Sequence, residues 1–343
     1  MNAAVFVSLA CLVCLGVGGS GQDVLRNPAQ PPAANAGRVV SPQKVWRIKD
    51  AGEGYFLTNP AALRFGADGT LFVQDVNKIL RFDADGRFLR AYKPQSVSGS
   101  FLFFGLDLTS DAVVTFERVG QRVYIFDLAT GAERGFRLPG DGRANNQFLF
   151  CRNNRLYFAD SQRIFSYSMD GKPEGPEISL ATDQASEEEG PALRTVTASV
   201  RVAALGATEA MLCTSFDYRV RRLDLAAGRI ARVFTRDYKS VRNENASTSG
   251  LAPNKMDVGG LQVVGDRLWV FTSTSDQVKG TLVDVFDLEG RYVDNFFLQV
   301  RDGEALVPLS FGAKAISGRD LVVTRRTGAE ISIEKFTLPA GVE

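Results

Sequence analysis

Apolar residues along this chain come in short alternating runs, with no long stretch of helical period. The clearest copy opens at Pro60. Leu63 and Phe65 flank Arg64, Asp68-Gly69 interrupts, and Leu71–Val73 follows; Lys78–Phe82, Asp85-Gly86 and Phe88–Tyr92 complete it. A period of two suits strands whose successive side chains point to opposite faces. Asp-Gly between such runs is a hairpin signal, because glycine accepts positive φ. The segment predicts four short antiparallel strands.

The same unit returns five times. The second copy runs Leu106–Leu108, Val113–Phe116, Val123–Asp127 and Gly135–Leu138, and the third Phe148–Cys151, Leu156–Asp160 and Ile164–Tyr167. The fourth runs Val200–Ala204, Met211–Ser215, Val220–Asp224 and Ala231–Thr235; the fifth Leu261–Val264, Leu268–Thr272, Leu282–Asp287 and Tyr292–Leu298. The sixth, Phe311–Ile316, Leu321–Thr324 and Ile331–Leu338, is one strand short. The missing strand is available at the other end, in Lys44–Ile48. The predicted fold is all-β: a six-bladed β-propeller over 43–343 with four-stranded blades, closed by an N-terminal strand that completes the last blade. Closure removes the free edges of an open array.

Pro60 to Leu89 resembles an NHL repeat: a proline opening, Asp-Gly, an apolar pair with Val-x-Asp, Asn, Ile, and Phe-Asp-x-x-Gly. Leu71–Asp75 and Leu156–Asp160 are similar to the second strand of YWTD-type propellers. The resemblance implies a fold and no particular activity, because propellers host unrelated functions. It also implies that Asp75 and Asp160, ending their second strands, brace the turn that follows. Copies four to six carry Ser215, Thr272 and Thr324 in that region.

The first 42 residues read differently. Ala3 to Val17 is apolar, the length of a secretory core and short of the roughly 20 residues that span a bilayer. Gly18-Gly19-Ser20-Gly21 follows, so residues 1–21 are expected to be a signal peptide. Residues 22–42, rich in Pro and Ala, are expected to be a flexible linker. The expected location is secreted or periplasmic, with no transmembrane span.

Composition narrows the chemistry. Forty Lys and Arg against 39 Asp and Glu leave no broad field to draw nucleic acid. No histidine occurs anywhere in the 343 residues. That excludes Ser-His-Asp and Cys-His catalysis and any His-ligated zinc or iron. Beyond the N-terminal apolar run only Cys151 and Cys213 remain, both in apolar strand-like stretches, and they read as buried thiols.

Strand parity gives each face of the disc a character. Links from strand two to three, and from strand four to the next blade, emerge on one face, here the top. The bottom links are tight, as at Asp170-Gly171 and Glu289-Gly290, whereas the long links 93–103, 139–147, 181–198, 236–260 and 299–310 are on top. Function concentrates on loops held by a rigid scaffold. The top-face candidates are Asp217, Tyr218, Arg219, Arg236, Tyr238, Lys239 and Arg242, since aromatic side chains beside arginine are a common hot-spot composition. A second set sits on the innermost strands at matched positions: Arg64, Asp107, Arg201, Gln262 and Lys314, with Leu149 in the third blade. These are expected to line a central channel, either as its polar wall or as an anion site.

The function expected from these residues is a non-catalytic exported module that binds or scaffolds a peptide, glycan or protein partner. No catalytic residue, metal ligand or cofactor is assigned. The alternative is a calcium-dependent hydrolase of the lactonase type, with Glu53, Asn59, Asn145, Asn146 and Asp257 as possible oxygen donors.

Overall fold

The computed structural model describes residues 24–52, 54–95, 102–139, 146–160, 163–180, 200–215, 217–238, 257–303, 305–307, 309 and 312–342. The chain forms a six-bladed β-propeller with no helix among those residues. Blade 1 is Pro60–Phe65, Leu71–Asp75, Lys78–Phe82 and Phe88–Tyr92. Blade 2 is Phe103–Leu108, Ala112–Glu117, Arg122–Asp127 and Glu133–Arg137. Blade 3 is Gln147–Arg152, Arg155–Ala159, Arg163–Ser168 and the short Ile178–Ser179. Blade 4 is Val200–Leu205, Glu209–Thr214, Asp217–Asp224 and Arg229–Arg236. Blade 5 is Val258–Val264, Arg267–Asp276, Gly280–Asp287 and Tyr292–Leu298. Blade 6 is Lys314–Ser317, Asp320–Thr327 and Glu330–Thr337, completed by Gln43–Ile48. The first strand of each blade contacts the first strands of its neighbours, so these six strands surround the axis.

Both faces of each blade are apolar, so the core lies between blades. Six apolar clusters of described residues each join one neighbouring pair. Between blades 1 and 2, Phe72 and Tyr92 meet Phe103, Tyr124 and Phe126. The ring-closing strand is held by charge as well as by its ladder. Glu334, wholly buried in blade 6, has Lys44 Nζ at 3.2 Å, Arg47 Nε at 3.1 Å and Arg325 Nη1 at 3.3 Å.

The tight turns have a packing reason as well as a backbone one. Gly290 has φ 83°, and a Cβ there would stand 2.5 Å from the Phe234 ring of blade 4. Gly171 meets Phe136 of blade 2 in the same way. The aspartate that ends the third strand caps the turn: Asp83 Oδ1 accepts from the amides of Asp85 (3.0 Å) and Arg87 (2.8 Å). Asp127 does the same for Ala129 and Thr130.

The segment expected to be a flexible linker is instead built into the disc. Val24–Asn27 pairs in parallel with Arg229–Arg236 as a fifth strand of blade 4, and Arg38–Val40 pairs with Tyr292–Leu298 as a fifth strand of blade 5. Asn27 ties the two blades together. Its amide donates to the Thr235 carbonyl (3.0 Å) and the Gly290 carbonyl (2.9 Å), and its Oδ1 accepts from the Tyr292 amide (2.9 Å). Arg38 pairs with Asp294 at 2.8 Å. Parallel pairing at an edge uses backbone groups, so the side-chain pattern of 24–40 need not alternate for these strands to form. The expected signal peptide, 1–21, lies outside the described residues.

Candidate functional site

Each inner strand runs down the axis from the top face to its first hairpin. Counted up from that hairpin, Arg64 and Asp107 occupy the second residue pair, Gln262 the third, Lys314 the fourth and Arg201 the fifth. The matched positions are therefore not equivalent along their strands. Bulges displace the alignment near the top of the inner strands of blades 1, 2, 3 and 5. The bulge at Phe148/Phe150 drops Leu149 from the ladder, and Leu149 packs in the apolar cluster between blades 3 and 4; from blade 3 it is Arg152, in the pair next to the hairpin, that reaches Asp107.

The charged side chains form two groups, a lower station close to the first hairpins and an upper one farther along the strands. At the lower one, Asp107 is shared between two arginines. Its Oδ1 lies 3.5 Å from Arg64 Nε, and its Oδ2 accepts from Arg152 Nη1 (3.2 Å) and the Cys151 amide (2.7 Å). Arg64 is thus paired inside the lower station and does not join Arg201 and Lys314. Cys151 and Cys213 are both buried, and neither is in a disulfide. Burial, and then the Asp107 charge, pushes the Cys151 thiol well above its usual range.

At the upper station, Lys314 reaches across to blade 5. Its Nζ donates to the Gly259 carbonyl (3.2 Å) and the Gly312 carbonyl (3.3 Å), and stands 5.0 Å from the centre of the Phe271 ring. Gln262 Nε2 reaches the Lys314 carbonyl at 3.4 Å. Burial pushes the Lys314 ammonium down to about 7, and the Arg201 charge pushes in the same direction. Burial also lowers Arg201, whose buried Nε has no hydrogen-bond partner among the described residues. Neither cation is ion-paired to a carboxylate among those residues.

The top-face candidates of blade 4 do converge, but as a buried knot. Arg236 is 9% exposed and Tyr218 5%. Arg236 Nε donates to Asp284 Oδ2 of blade 5 at 2.7 Å, and Tyr218 and Tyr292 both donate their hydroxyls to the same carboxylate. The rings of Tyr238, Tyr292 and Tyr218 stand 4.8, 5.3 and 5.5 Å from the guanidinium. Burial works against the Arg236 charge, but Asp284 with the surrounding tyrosines raises its pKa above the ordinary value. Burial, then Asp284, raises Tyr292 and Tyr218 as well. Tyr218 and Arg236 are therefore not an exposed hot spot. Tyr238 is half-buried, its hydroxyl 2.8 Å from Thr274 Oγ1. Arg219 is half-buried, with its carbonyl accepting from Arg221. Asp217 begins the third strand of blade 4, while Lys239 and Arg242 lie outside the described residues, as do most of the long top links.

Sequence reasoning missed Asp284 and Arg152. Asp284 had a visible signal: a lone carboxylate inside the apolar run Leu282–Phe286 needs a buried partner. The two aspartates that end second strands behave differently. Asp160 does brace the following turn, accepting from the Arg163 amide at 2.9 Å. Asp75 braces the approach to its own inner strand, accepting from the amides of Thr58 and Asn59, and pairs with Lys78 at 3.0 Å.

Of the possible calcium donors, Glu53 and Asn145 lie outside the described residues. Asn146 donates its amide to Gln121 Oε1 at 2.7 Å. Among the described residues no group of three or more Asp, Glu or Cys is arranged to hold a metal ion. No helix among them is long and apolar enough to cross a membrane.

No protein-family model matches this chain, and no curated protein matches it in sequence. Solved propellers do match in shape. A catalytically inactive histidine-to-alanine variant of virginiamycin B lyase from Staphylococcus aureus, solved with quinupristin, is 15% identical; the match covers 86% of this chain and 89% of that one, with a TM-score of 0.52. A Bacteroides fragilis protein for which export is proposed is 12% identical, over 92% of this chain and 99% of that one, with a TM-score of 0.53. At these identities the likeness carries the propeller fold alone.

Proposed function

We propose that this protein is an exported, non-catalytic binding propeller, and that its ligand presents an anionic group to the upper station of the axis. The observation that carries the reading is the pair Arg201 and Lys314. The two lie two blades apart, close enough for the charge of one to depress the pKa of the other, and neither is ion-paired among the described residues. A buried cation without a counter-charge is costly, and a bound carboxylate, phosphate or sulfate group offsets that cost. The lower station does not offer the same demand, because Asp107 already serves Arg64 and Arg152. The ligand could be a peptide, glycan or protein partner that carries the anion into the top of the disc. The apolar run Ala3–Val17 supports the exported setting.

The test is thermal melting in low salt. An anion at ten times its dissociation constant stabilises the folded state by about 1.4 kcal/mol, which is a rise of a few degrees for a domain of this size. Sulfate or a small carboxylate should give that rise in the wild type and lose it in Arg201→Gln. The control is Arg87→Gln, at an exposed bottom turn. Equal anion stabilisation in both variants would reduce the effect to ordinary salting.

A further inference from the structure

Lys314 has a chemistry that anion binding does not use. A neutral amine carries two N–H bonds and one lone pair. At Lys314 two backbone carbonyls, of Gly259 and Gly312, accept from Nζ at 3.2 and 3.3 Å. Two acceptors match the two N–H bonds of the uncharged form and leave its lone pair uncommitted. Gly260 lets the lysine side chain pack close: a Cβ on that residue would stand only 3.1 Å from Nζ. The neighbouring Arg201 charge opposes protonation, which is one of the ways a lysine is made nucleophilic.

We propose that Lys314 captures small carbonyl compounds bearing a carboxylate, aldehyde acids or 2-oxo acids, as a reversible imine, with Arg201 holding the carboxylate. The role given to Arg201 rests on the anion-binding reading above. The lone pair of Nζ attacks the carbonyl carbon, and the C=O π electrons pass to oxygen. A proton moves from nitrogen to that oxygen, giving a carbinolamine. Loss of water then forms C=N, so amine and carbonyl are converted to imine and water with no net oxidation. At neutral pH about half of the Lys314 side chains are free amine, whereas an exposed lysine is almost wholly ammonium.

The experiment is reductive trapping on the full chain with glyoxylate and cyanoborohydride at pH 7, read by intact mass and peptide mapping. One adduct per chain is expected, equal to the mass of glyoxylic acid less one oxygen, on the peptide containing Lys314. Its labelling should exceed that of the exposed Lys93 and Lys279 by at least about 10-fold. Lys314→Arg should abolish the adduct, and Arg201→Gln should reduce it. Propanal, without a carboxylate, should label lysines without this preference. Labelling spread over surface lysines, with Lys314 no higher, overturns the proposal, and the wild-type map gives that answer even where a Lys314 variant fails to fold. If sulfate still raises the melting point through Arg201 but glyoxylate leaves Lys314 unmodified, covalent capture is wrong and the anion reading stands. If Lys314 is modified but anions give no stabilisation that Arg201→Gln removes, capture stands and the anion reading falls.

Discussion

Arg236 of blade 4 donates its Nε to the Asp284 carboxylate of blade 5 at 2.7 Å, in a boundary where Asp284 is wholly buried and Arg236 nearly so. The pair is enclosed by three tyrosine rings and saturated by two tyrosine hydroxyls, so little of either charge is available to a ligand. It joins two blades. Removing one partner leaves the other charge buried alone, which costs about 3–5 kcal/mol. Arg236→Met and Asp284→Asn should each lower stability by an amount of that order in urea titrations. The double variant Arg236→Met/Asp284→Leu should recover part of the loss. Losses that simply add would show that the two residues are not coupled.

The N-terminal segments 24–40 and 43–48 make separate contributions. Deleting 24–40 removes two edge strands and the Asn27 tie between blades 4 and 5, but leaves all six blades with four strands. Deleting 43–48 opens the ring and strips Lys44 and Arg47 from the buried Glu334. Thermal melting of the two deletions should show a fall of several degrees for the first and loss of cooperative folding for the second. An unchanged melting point after deleting 43–48 would contradict closure by that strand.

Lys314 should give stability a pH dependence of its own. Its folded pKa, about 7, lies below the ordinary 10.5. Between those values the unfolded chain binds a proton that the folded chain does not, so stability rises with pH through that window. Below about pH 7 both states are protonated and the full penalty of the buried charge is present. Measured against Lys314→Met, the wild type should gain about 1.4 kcal/mol per pH unit in the middle of the window. Denaturation curves at pH 7, 8 and 9 that keep a constant separation between the two proteins would show that Lys314 is not buried as a near-neutral amine.

The blades were legible in the sequence because period-two alternation and turn glycines are local signals that the fold obeys. The turns at Asp68-Gly69, Asp85-Gly86, Thr130-Gly131, Asp170-Gly171 and Glu289-Gly290 all carry glycine at positive φ. The closing strand was legible as the one run without a partner in its own blade. Other features depend on partners distant in sequence. Asn27 acts on Thr235, Gly290 and Tyr292, more than 200 residues away, so no local pattern announces it. The matched positions turned out not to be equivalent because hairpin length and ladder register differ from blade to blade, and neither leaves a reliable mark in composition. Strand parity and composition brought Tyr218, Arg236 and Tyr238 to attention, and in the structure the two rings stand beside the Arg236 guanidinium. Neither parity nor composition could show that Asp284, on the next blade, had already taken the charge.

An anion bound at the upper station can be located directly. Crystals grown in low salt and soaked with selenate, a sulfate analogue visible by its anomalous scattering, should show a peak within ion-pair distance of the Arg201 guanidinium and the Lys314 amine. Crystals of Arg201→Gln should lose that peak while keeping any at surface arginines. Selenate found only at exposed side chains such as Arg87, with the space between Arg201 and Lys314 empty or closed by a carboxylate of the chain itself, would show that the two cations do not form an anion site.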